Sequence, residues 1–295
     1  MRIGIDWGGT KLEVIALDDD GRTLLRERVA TPQGDYRRCV DAVCDLVRMA
    51  EERSGKSGTV GIGIPGTVSP ATGLVKNANS TWLNGKPLLE DMEQALGRNV
   101  RIHNDANCFA VSEAVDGAGE GMRVIAGIIL GTGCGCGIVI DGDALAGGHG
   151  IAGEFGHTPL PYMKENEYPG NACWCGKRGC LETYISGTGF QRDYETITGA
   201  PTGLSAAEIL DLEDANSRLA YANYADRLAR GLSQLVNILD PDILVLGGGM
   251  SNVKTLYEDV PLLMRQYVFS DVFKTPIVPA KHGDSSGVRG AAWLW

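Results

Sequence analysis

The sequence predicts an α/β protein of two domains. At 295 residues the chain is longer than one small core needs. Segments with the apolar pattern of strands alternate along it with segments that have the apolar spacing of helices, which is typical of layered α/β structure. The order strand, glycine-rich turn, strand occurs at residues 2–17 and again at 124–140. This repeat predicts two related halves, each presenting a glycine hairpin to one cleft.

In the first half, apolar alternation and continuous apolar runs predict the strands, and apolar residues three or four apart predict the helices. The predicted strands are 2–5, 12–17, 23–29, 59–64 and 100–103, and the predicted helices are 35–54 and 105–115. Asp18-Asp19-Asp20-Gly21 predicts a hairpin turn between the second and third strands.

In the second half, the same patterns predict strands and helices on either side of a long irregular insertion. The predicted strands are 124–130, 137–140 and 243–245, and the predicted helices are 205–212, 216–239 and 287–294. We expect a smaller N-terminal domain of residues 1–117 plus 283–295. Residues 118–282 form the larger predicted domain, which contains the insertion.

Composition and charge exclude several kinds of partner. The chain is 43% hydrophobic and 22% charged, with a net charge of −10. Such a surface repels nucleic-acid phosphates and anionic membranes. No segment approaches the roughly twenty apolar residues that span a bilayer, and the start has an acid and glycines where a signal peptide has an apolar run. We therefore expect a cytoplasmic protein without nucleic-acid or membrane partners.

The segment from Gly153 to Glu182 predicts a zinc site. One histidine and three cysteines fall within a short glycine-rich span, as in closed tetrahedral sites with Cys3His ligation. The predicted ligands are His157, Cys173, Cys175 and Cys180. Glu154 and Glu182 flank them, which indicates a metal that organises a polar site. The alternative is a zinc knuckle with a purely structural role.

Three glycine-rich turns at strand ends predict a nucleotide site, because phosphates need backbone N–H groups that side chains do not obstruct. The first turn carries Asp6, which is placed to hold Mg²⁺ through water; the third is the kind of turn that admits an adenosine. Neither a P-loop nor a dinucleotide fingerprint is present. The predicted nucleotide-binding residues are Asp6, Gly8, Gly9, Thr10 and Lys11; Gly131, Thr132 and Gly133; and Gly247, Gly248 and Gly249.

Asn104 and Asp105 stand where a predicted strand meets a predicted helix. One interpretation is a helix N-cap, for which Asn and Asp are preferred. The other is that Asp105 is a general base for a hydroxyl group. An aspartate suffices for that role in a loose phosphoryl-transfer transition state, in which orientation matters more than basicity.

Over nearly its whole length the chain resembles the ROK family of bacterial sugar kinases, within the superfamily of actin-like sugar kinases and Hsp70 ATPases. The sequence departs from the pattern that is usual in this family at Trp7, Cys134 and Cys136, but none of these departures removes a functional side chain. The matching motifs are Asp6-x-Gly8-Gly9-Thr10-Lys11, Gly63-Ile64-Pro65-Gly66, Asn104-Asp105-x-Asn107, Gly131-Thr132-Gly133, Glu154-x-Gly156-His157 and the run from Cys173 to Glu182.

The resemblance implies a two-domain actin-like (RNase H-like) ATPase fold with a zinc-binding insertion, and phosphorylation of a hexose by ATP with Mg²⁺. It implies that Asp105 is the catalytic base and that the zinc ligands hold the loop that carries the flanking glutamates. It also implies a homodimer. The implied sugar contacts are Asn79, Asn104, Asp105, Glu154, His157 and Glu182.

Within the family, residues 76–85 and 282–292 look most like those of enterobacterial fructokinases, so we expect D-fructose, and also mannose, as the substrate. N-acetylglucosamine kinase is the nearest alternative, followed by glucokinase. A sugar-sensing transcriptional regulator is disfavoured, because the first phosphate loop begins at Asp6 and leaves no room for a DNA-binding domain ahead of it. Asn104, Asp105 and the zinc segment disfavour an actin-type structural protein.

Overall fold

The computed structural model describes residues 1–295, apart from the side chain of Asp284. The strands are β1 (Arg2–Trp7), β2 (Lys11–Leu17), β3 (Thr23–Ala30), β4 (Thr59–Ile64), β5 (Thr67–Val68), β6 (Val75–Lys76), β7 (Val100–Asn104), β8 (Val124–Leu130), β9 (Cys134–Ile140), β10 (Asp143–Ala144), β11 (Ile243–Gly247) and β12 (Ile277–Pro279). The helices are α1 (Tyr36–Ser54), α2 (Leu88–Leu96), α3 (Asp105–Val115), α4 (Glu182–Ile185), α5 (Gly187–Thr198), α6 (Ala206–Asp211), α7 (Ala215–Leu239), α8 (Leu256–Met264) and α9 (Ser286–Ala292).

The chain divides into two compact units. The first unit comprises residues 1–122, 137–153 and 281–295, and the second comprises 123–136 and 154–280. The domain boundaries predicted from the sequence, after residue 117 and before residue 283, stay a prediction. Within the described part of the chain, every helix is too short or too polar to cross a membrane.

The sheet of the first unit places two polar segments at one edge. Its strand order is β3-β2-β1-β4-β7. β1 pairs in parallel with β4, which pairs in parallel with β7, so these three strands end at the same edge. Asp6 lies opposite Gly63 and Asn104 lies opposite Ile64 in the two ladders. The sheet therefore brings Asp6 and the start of α3 to one side of this unit.

One face of this sheet is covered by α1 and α2. The apolar residues of α1 point inward, and the helix begins after the N-cap Asp35 and ends at Gly55, whose φ of 65° is left-handed. Ile3, Ile5 and the fully buried Trp7 lie in the same apolar core as the buried face of α1. Burial of this face is the main source of stability here, since apolar area removed from water drives folding.

The opposite face of the sheet is packed unusually closely, because glycines stand at the contacts. A Cβ atom at Gly4 or Gly61 would lie 2.1 or 1.9 Å from a backbone oxygen of α9. Within α9, a Cβ atom at Gly290 would lie 1.6 Å from the backbone oxygen of Cys108 on α3. The absence of these side chains lets α9 lie directly on β1 and β4 and lets α3 cross α9 in backbone contact.

We therefore expect Gly290→Ala to lower the free energy of unfolding by about 3 kcal/mol, because neither backbone can move away without disturbing the sheet. Urea unfolding measures this. Gly148→Ala is the control: its added Cβ atom meets nothing within 4 Å, so its effect should stay within about 0.5 kcal/mol. Equal stabilities of the two variants would contradict the close packing.

The second five-stranded sheet has the order β10-β9-β8-β11-β12, and the division between the units falls within β9, after Cys136. β8 and β12 both pair in parallel with β11. Helices α4 to α8 belong to the second unit. The longest of them, α7, has 25 residues and begins after the N-cap Asp214.

The strands and helices predicted from the sequence are present, with ends that shift by a few residues. β9 begins at Cys134, three residues before the predicted start, because the Gly-Cys alternation is extended. Four helices were missed: the short α4, which has only four residues, and three helices that each contain or follow a residue that disfavours helix. α2 follows Pro87, α5 begins with Gly-Thr-Gly, and α8 contains Pro261.

Candidate active site

The first glycine turn is a tight hairpin between β1 and β2. The Gly8 N–H donates to the Lys11 carbonyl oxygen at 3.0 Å, and the Thr31 hydroxyl donates to the Gly8 carbonyl oxygen at 2.8 Å. A Cβ atom at Gly8 would lie 2.7 Å from the Lys11 oxygen. The turn therefore needs glycine for its own closure, and it leaves Thr10 and Lys11 exposed.

Asn79 lies beside this hairpin. A Cβ atom at Gly9 would lie 2.9 Å from the Ser80 hydroxyl oxygen, so the segment that carries Asn79 contacts the turn. Ser80 is buried, whereas Asn79 is exposed. The structure thus brings Asn79 to the hairpin, and its role as a sugar contact stays a prediction.

Asp6 is the one acidic residue of β1, and its environment is unfavourable for a charge. Desolvation, followed by the negative charges of Asp105 and Glu13, raises the pKa of Asp6 from 3.8 to about 7. A carboxylate that is costly to ionise by itself is well suited to a cation, whose charge offsets that cost. The environment of Asp6 therefore fits the predicted role in holding Mg²⁺.

This raised pKa predicts a pH dependence of stability. A carboxyl group whose pKa is higher in the folded chain favours folding most below its unfolded pKa of 3.8, and that contribution is lost as the pH rises to about 7. We expect Asp6→Asn to be more stable than the native chain at pH 8, in buffer without Mg²⁺ or nucleotide, with the difference shrinking toward pH 4. Urea unfolding at several pH values measures it. Asp41→Asn, on the exposed face of α1, is the control; a pH-independent difference for Asp6→Asn would contradict the shift.

The N-terminus of α3 shows the predicted N-cap, while the role of Asp105 as a general base stays a prediction. Asn104 is the N-cap: its Oδ1 accepts the Ala106 N–H at 2.9 Å, and its side-chain amide donates to the Gly66 carbonyl oxygen at 3.0 Å. Asp105 is the first residue of the helix and is exposed. Asn104 thus fixes the turn, while the Asp105 carboxylate faces solvent at the same sheet edge as Asp6. The Asp105 Oδ1 also accepts the Ala106 N–H, at 2.8 Å, so Asp105 contributes to the first turn of α3 as well.

The predicted zinc ligands come together in the second unit. One ligand atom from each of His157, Cys173, Cys175 and Cys180 lies within 4.8 Å of every other. The Cys173 Sγ is 3.6 Å from the His157 Nδ1, and the Cys175 Sγ is 3.6 Å from the Cys180 Sγ.

These distances fit a tetrahedral metal site. With Zn–S near 2.3 Å and Zn–N near 2.0–2.1 Å, the edges of a zinc tetrahedron measure about 3.5–3.8 Å. A disulfide would instead bring two sulfurs to about 2.05 Å, and all eight cysteines are free thiols in the structure. Three sulfurs and one imidazole nitrogen are the donor set that zinc prefers, so the residues present fit this metal.

Glu182 connects the zinc ligands to the second glycine turn. Its Oε2 accepts the Cys134 N–H at 3.0 Å, and its Oε1 accepts the Trp174 indole N–H at 2.8 Å. A Cβ atom at Gly133 would lie 2.7 Å from this carboxylate. Gly133 is therefore needed for contact with Glu182 as well as for the turn.

Glu154 and the two cysteines of the second glycine turn lie close to this arrangement. Glu154 is exposed at the start of a short 3-10 helix, Glu154–His157. Burial, followed by the charge of Glu154, raises the pKa of the Cys136 thiol to about 12. Burial also raises the pKa of Cys134 well above its ordinary value. Since the thiolate is the reactive form, neither cysteine is an easily oxidised group.

The loop between His157 and Cys173 is fixed by a buried ion-pair cluster, which the sequence analysis missed. Glu167 accepts hydrogen bonds from Arg227 at 2.8 Å and from Arg230 at 2.7 Å, both on α7. Burial opposes its ionisation, but the two guanidinium groups lower the pKa of Glu167 to about 2. The sequence shows only an acid in an irregular loop and two arginines three residues apart on an otherwise apolar helix face, and these features alone do not indicate that the three residues pair.

The second and third glycine turns border a cavity of about 730 Å³ in the second unit. The Gly187 N–H donates to the Gly131 carbonyl oxygen at 2.7 Å, and Gly248, with a φ of 80°, packs against Leu130. Gly131, Thr132 and Gly249 line the cavity, together with residues of α5 and α6 that the sequence analysis did not single out. A cavity of this size accommodates a nucleoside.

Each unit thus brings together a different set of the residues that were predicted to form the site. The first unit holds the hairpin, Asp6 and the acid that opens α3. The second unit holds the four predicted metal ligands, Glu182 and the cavity. The roles predicted for these residues stay predictions.

This fold, with a glycine hairpin between paired strands and an acid at the adjoining strand end, is that of the actin-like ATPases. The sequence pattern described as the ROK family matches residues 2–295, and the chain belongs to this family. It is 41% identical over 303 residues to the N-acetyl-D-glucosamine kinase of Haemophilus influenzae (strain 86-028NP), which covers 100% of this chain and 99% of that protein.

Solved structures of the family have the same fold. The ROK hexokinase from Thermus thermophilus has a TM-score of 0.86 and 30% identity, covering 99% of this chain and 96% of the other. The ROK family glucokinase from Streptomyces griseus, in complex with glucose and AMPPNP, has a TM-score of 0.78 and 30% identity, covering 99% and 98%. The comparisons support a sugar kinase of this family, but not the expectation that its nearest relatives are fructokinases.

Proposed function

We propose that this protein transfers the γ-phosphoryl group of ATP to the 6-hydroxyl of a free hexose. The observation that carries the proposal is the exposed Asp105 carboxylate, which opens α3 at the sheet edge where Asp6 and the glycine hairpin also lie. Membership of the ROK family supports the same reaction class.

In this proposal, Asp105 orients the attacking hydroxyl and accepts its proton as the bond to phosphorus forms. A weak base is adequate, because proton transfer is late in a loose phosphoryl-transfer transition state. Asn104 positions Asp105 by closing the first turn of the helix. The glycine turns provide backbone N–H groups for the phosphates. Asp6 would hold Mg²⁺, which supplies positive charge to the phosphates when bound.

The proposed sugar contacts are the hydroxyl-binding groups Asn79, Asn104, Asp105, Glu154, His157 and Glu182. A carboxylate that accepts a hydrogen bond from a sugar hydroxyl selects against sugars that lack this hydroxyl. With such a sugar the carboxylate is left unpaired, and a buried unpaired polar group costs roughly 1–3 kcal/mol. The four zinc ligands would fix the segment that carries Glu154 and Glu182. Zinc, when bound, would supply this rigidity.

For the hexose itself, we propose N-acetyl-D-glucosamine as the first candidate. This proposal rests on the curated relatives at about 40% identity over the whole chain, which carry that name. D-Fructose is the second candidate. It is favoured by the segments 76–85 and 282–292, which look most like those of fructokinases.

A coupled assay of ADP formation over a panel of hexoses tests the function. We expect sugar-dependent turnover with ATP, and the sugar with the highest kcat/KM identifies the substrate among N-acetylglucosamine, fructose, mannose and glucose. A total-metal measurement on the same sample determines whether zinc is present at about one ion per chain. ATP hydrolysis that no hexose stimulates would contradict the proposal. A homodimer and a cytoplasmic location stay predictions.

A further inference from the structure

Trp174 is an unusual residue in the zinc segment. It stands between two of the thiol ligands, yet 66% of it is exposed to solvent, which is a large fraction for tryptophan. Its ring meets the His157 ring edge to face, with centroids 5.0 Å apart and an interplanar angle of 82°. Packing in a core therefore does not explain a large aromatic side chain here.

The only polar atom of the Trp174 side chain is directed at Glu182. The indole N–H donates to the Glu182 Oε1 at 2.8 Å, while the other carboxylate oxygen accepts the Cys134 N–H at 3.0 Å. Two donors from different segments thus hold the two oxygens of one carboxylate. The Cys134 donor comes from the start of β9, directly after the second glycine turn, and the Trp174 donor comes from the metal-binding turn.

We propose that Trp174 is a positioning residue, which fixes the Glu182 carboxylate for substrate and makes its orientation depend on the metal. The metal ligands Cys173 and Cys175 determine where the indole N–H lies, and the indole N–H determines how Glu182 presents its remaining lone pairs. Loss of the metal frees the turn and removes one of the two donors. The part of this inference that concerns the sugar rests on the proposed function.

Two substitutions separate the hydrogen bond from the ring. Trp174→Phe keeps an aromatic ring against His157 and removes the donor. Trp174→Gln removes the ring and restores a donor, because the Gln side-chain nitrogen lies as many bonds from Cα as the indole nitrogen does. All four metal ligands remain in both variants, so both should bind zinc normally.

Steady-state kinetics test the sugar part of the inference. For Trp174→Phe we expect about one zinc per chain, a KM for the sugar raised about 10-fold, a smaller fall in kcat and an unchanged KM for ATP. Trp174→Gln should recover part of the sugar KM. Loss of zinc in Trp174→Phe would overturn the proposal, because it would make Trp174 a structural part of the metal site. An unchanged sugar KM would also overturn it.

Fluorescence tests the link to the metal without any substrate. The difference in emission between the native chain and Trp174→Phe isolates Trp174 from the other tryptophans. We expect this difference spectrum to shift when zinc is removed by a chelator, and to shift in Glu182→Gln. A difference spectrum that responds to neither change would overturn the proposal, even if no hexose proves to be a substrate. If the spectrum responds but no hexose is phosphorylated, the proposed function fails and the metal link stands.

Discussion

Asp105→Asn is expected to bind sugar and ATP nearly as the native protein does. Its kcat for phosphorylation should fall by about 10²–10⁴-fold, which is the usual contribution of a general base. The amide has the shape of the carboxylate and suits the first turn of a helix, so the fold is kept. It cannot accept a proton from the hydroxyl group. Rapid-quench or coupled assays, together with sugar binding by calorimetry, separate the two effects.

The same substitution has a second, independent consequence. The charge of Asp105 is one cause of the raised pKa of Asp6. Removing it should ease the ionisation of Asp6, so the free energy of unfolding at pH 8 should not fall. Asp35→Asn, at the N-cap of α1, is the matched control. Asp35→Asn also replaces a carboxylate by an amide at the start of a helix, and it should leave kcat unchanged. Near-native turnover by Asp105→Asn would refute its role as the base.

Cys175→Ser should lose most of the zinc and much of the stability of the second unit. A serine hydroxyl stays protonated at neutral pH and is a poor zinc ligand, and metal-binding energy contributes directly to folding. We expect less than one zinc per chain and a free energy of unfolding lowered by roughly 3 kcal/mol. Metal analysis and urea unfolding measure both.

The control for this variant is another cysteine. Cys44 is buried on α1, far along the sequence from the ligands, and Cys44→Ala should keep its zinc. A full complement of zinc in Cys175→Ser, with unchanged stability, would contradict the ligand assignment. A loss of zinc in both variants would show that global destabilisation, rather than ligation, controls metal content.

Much of the fold could be predicted because local patterns determine it. α1 has an acidic N-cap, a regular apolar face and a C-terminal glycine, and its predicted bounds differ from the observed ones by one residue. α5 and α8 were missed for the opposite reason. Glycine and proline lie inside them, and tertiary packing of Phe190 and Val260 in the core overrides their low helix propensity.

Residues of the candidate site were predictable where chemistry requires a particular side chain at short sequence spacing. The clustering of the four predicted zinc ligands and the acid at the start of α3 are such cases. The support of Glu167 by Arg227 and Arg230 was not predictable, because those partners lie about sixty residues apart. Neither was the contact from Trp174 to Glu182, since a spacer between two cysteines shows no pattern that indicates its hydrogen bond.

The glycines beneath α9 have a consequence for biosynthesis. β1 and β4 leave the ribosome early, but the helix that covers one face of their sheet is made only after the whole second unit has been synthesised. Until then, that face of the sheet in the nascent first unit is not covered by α9, and its apolar strand residues are exposed. We therefore expect the second unit, although it comes later in the gene, to gain protease resistance during translation before the first unit does.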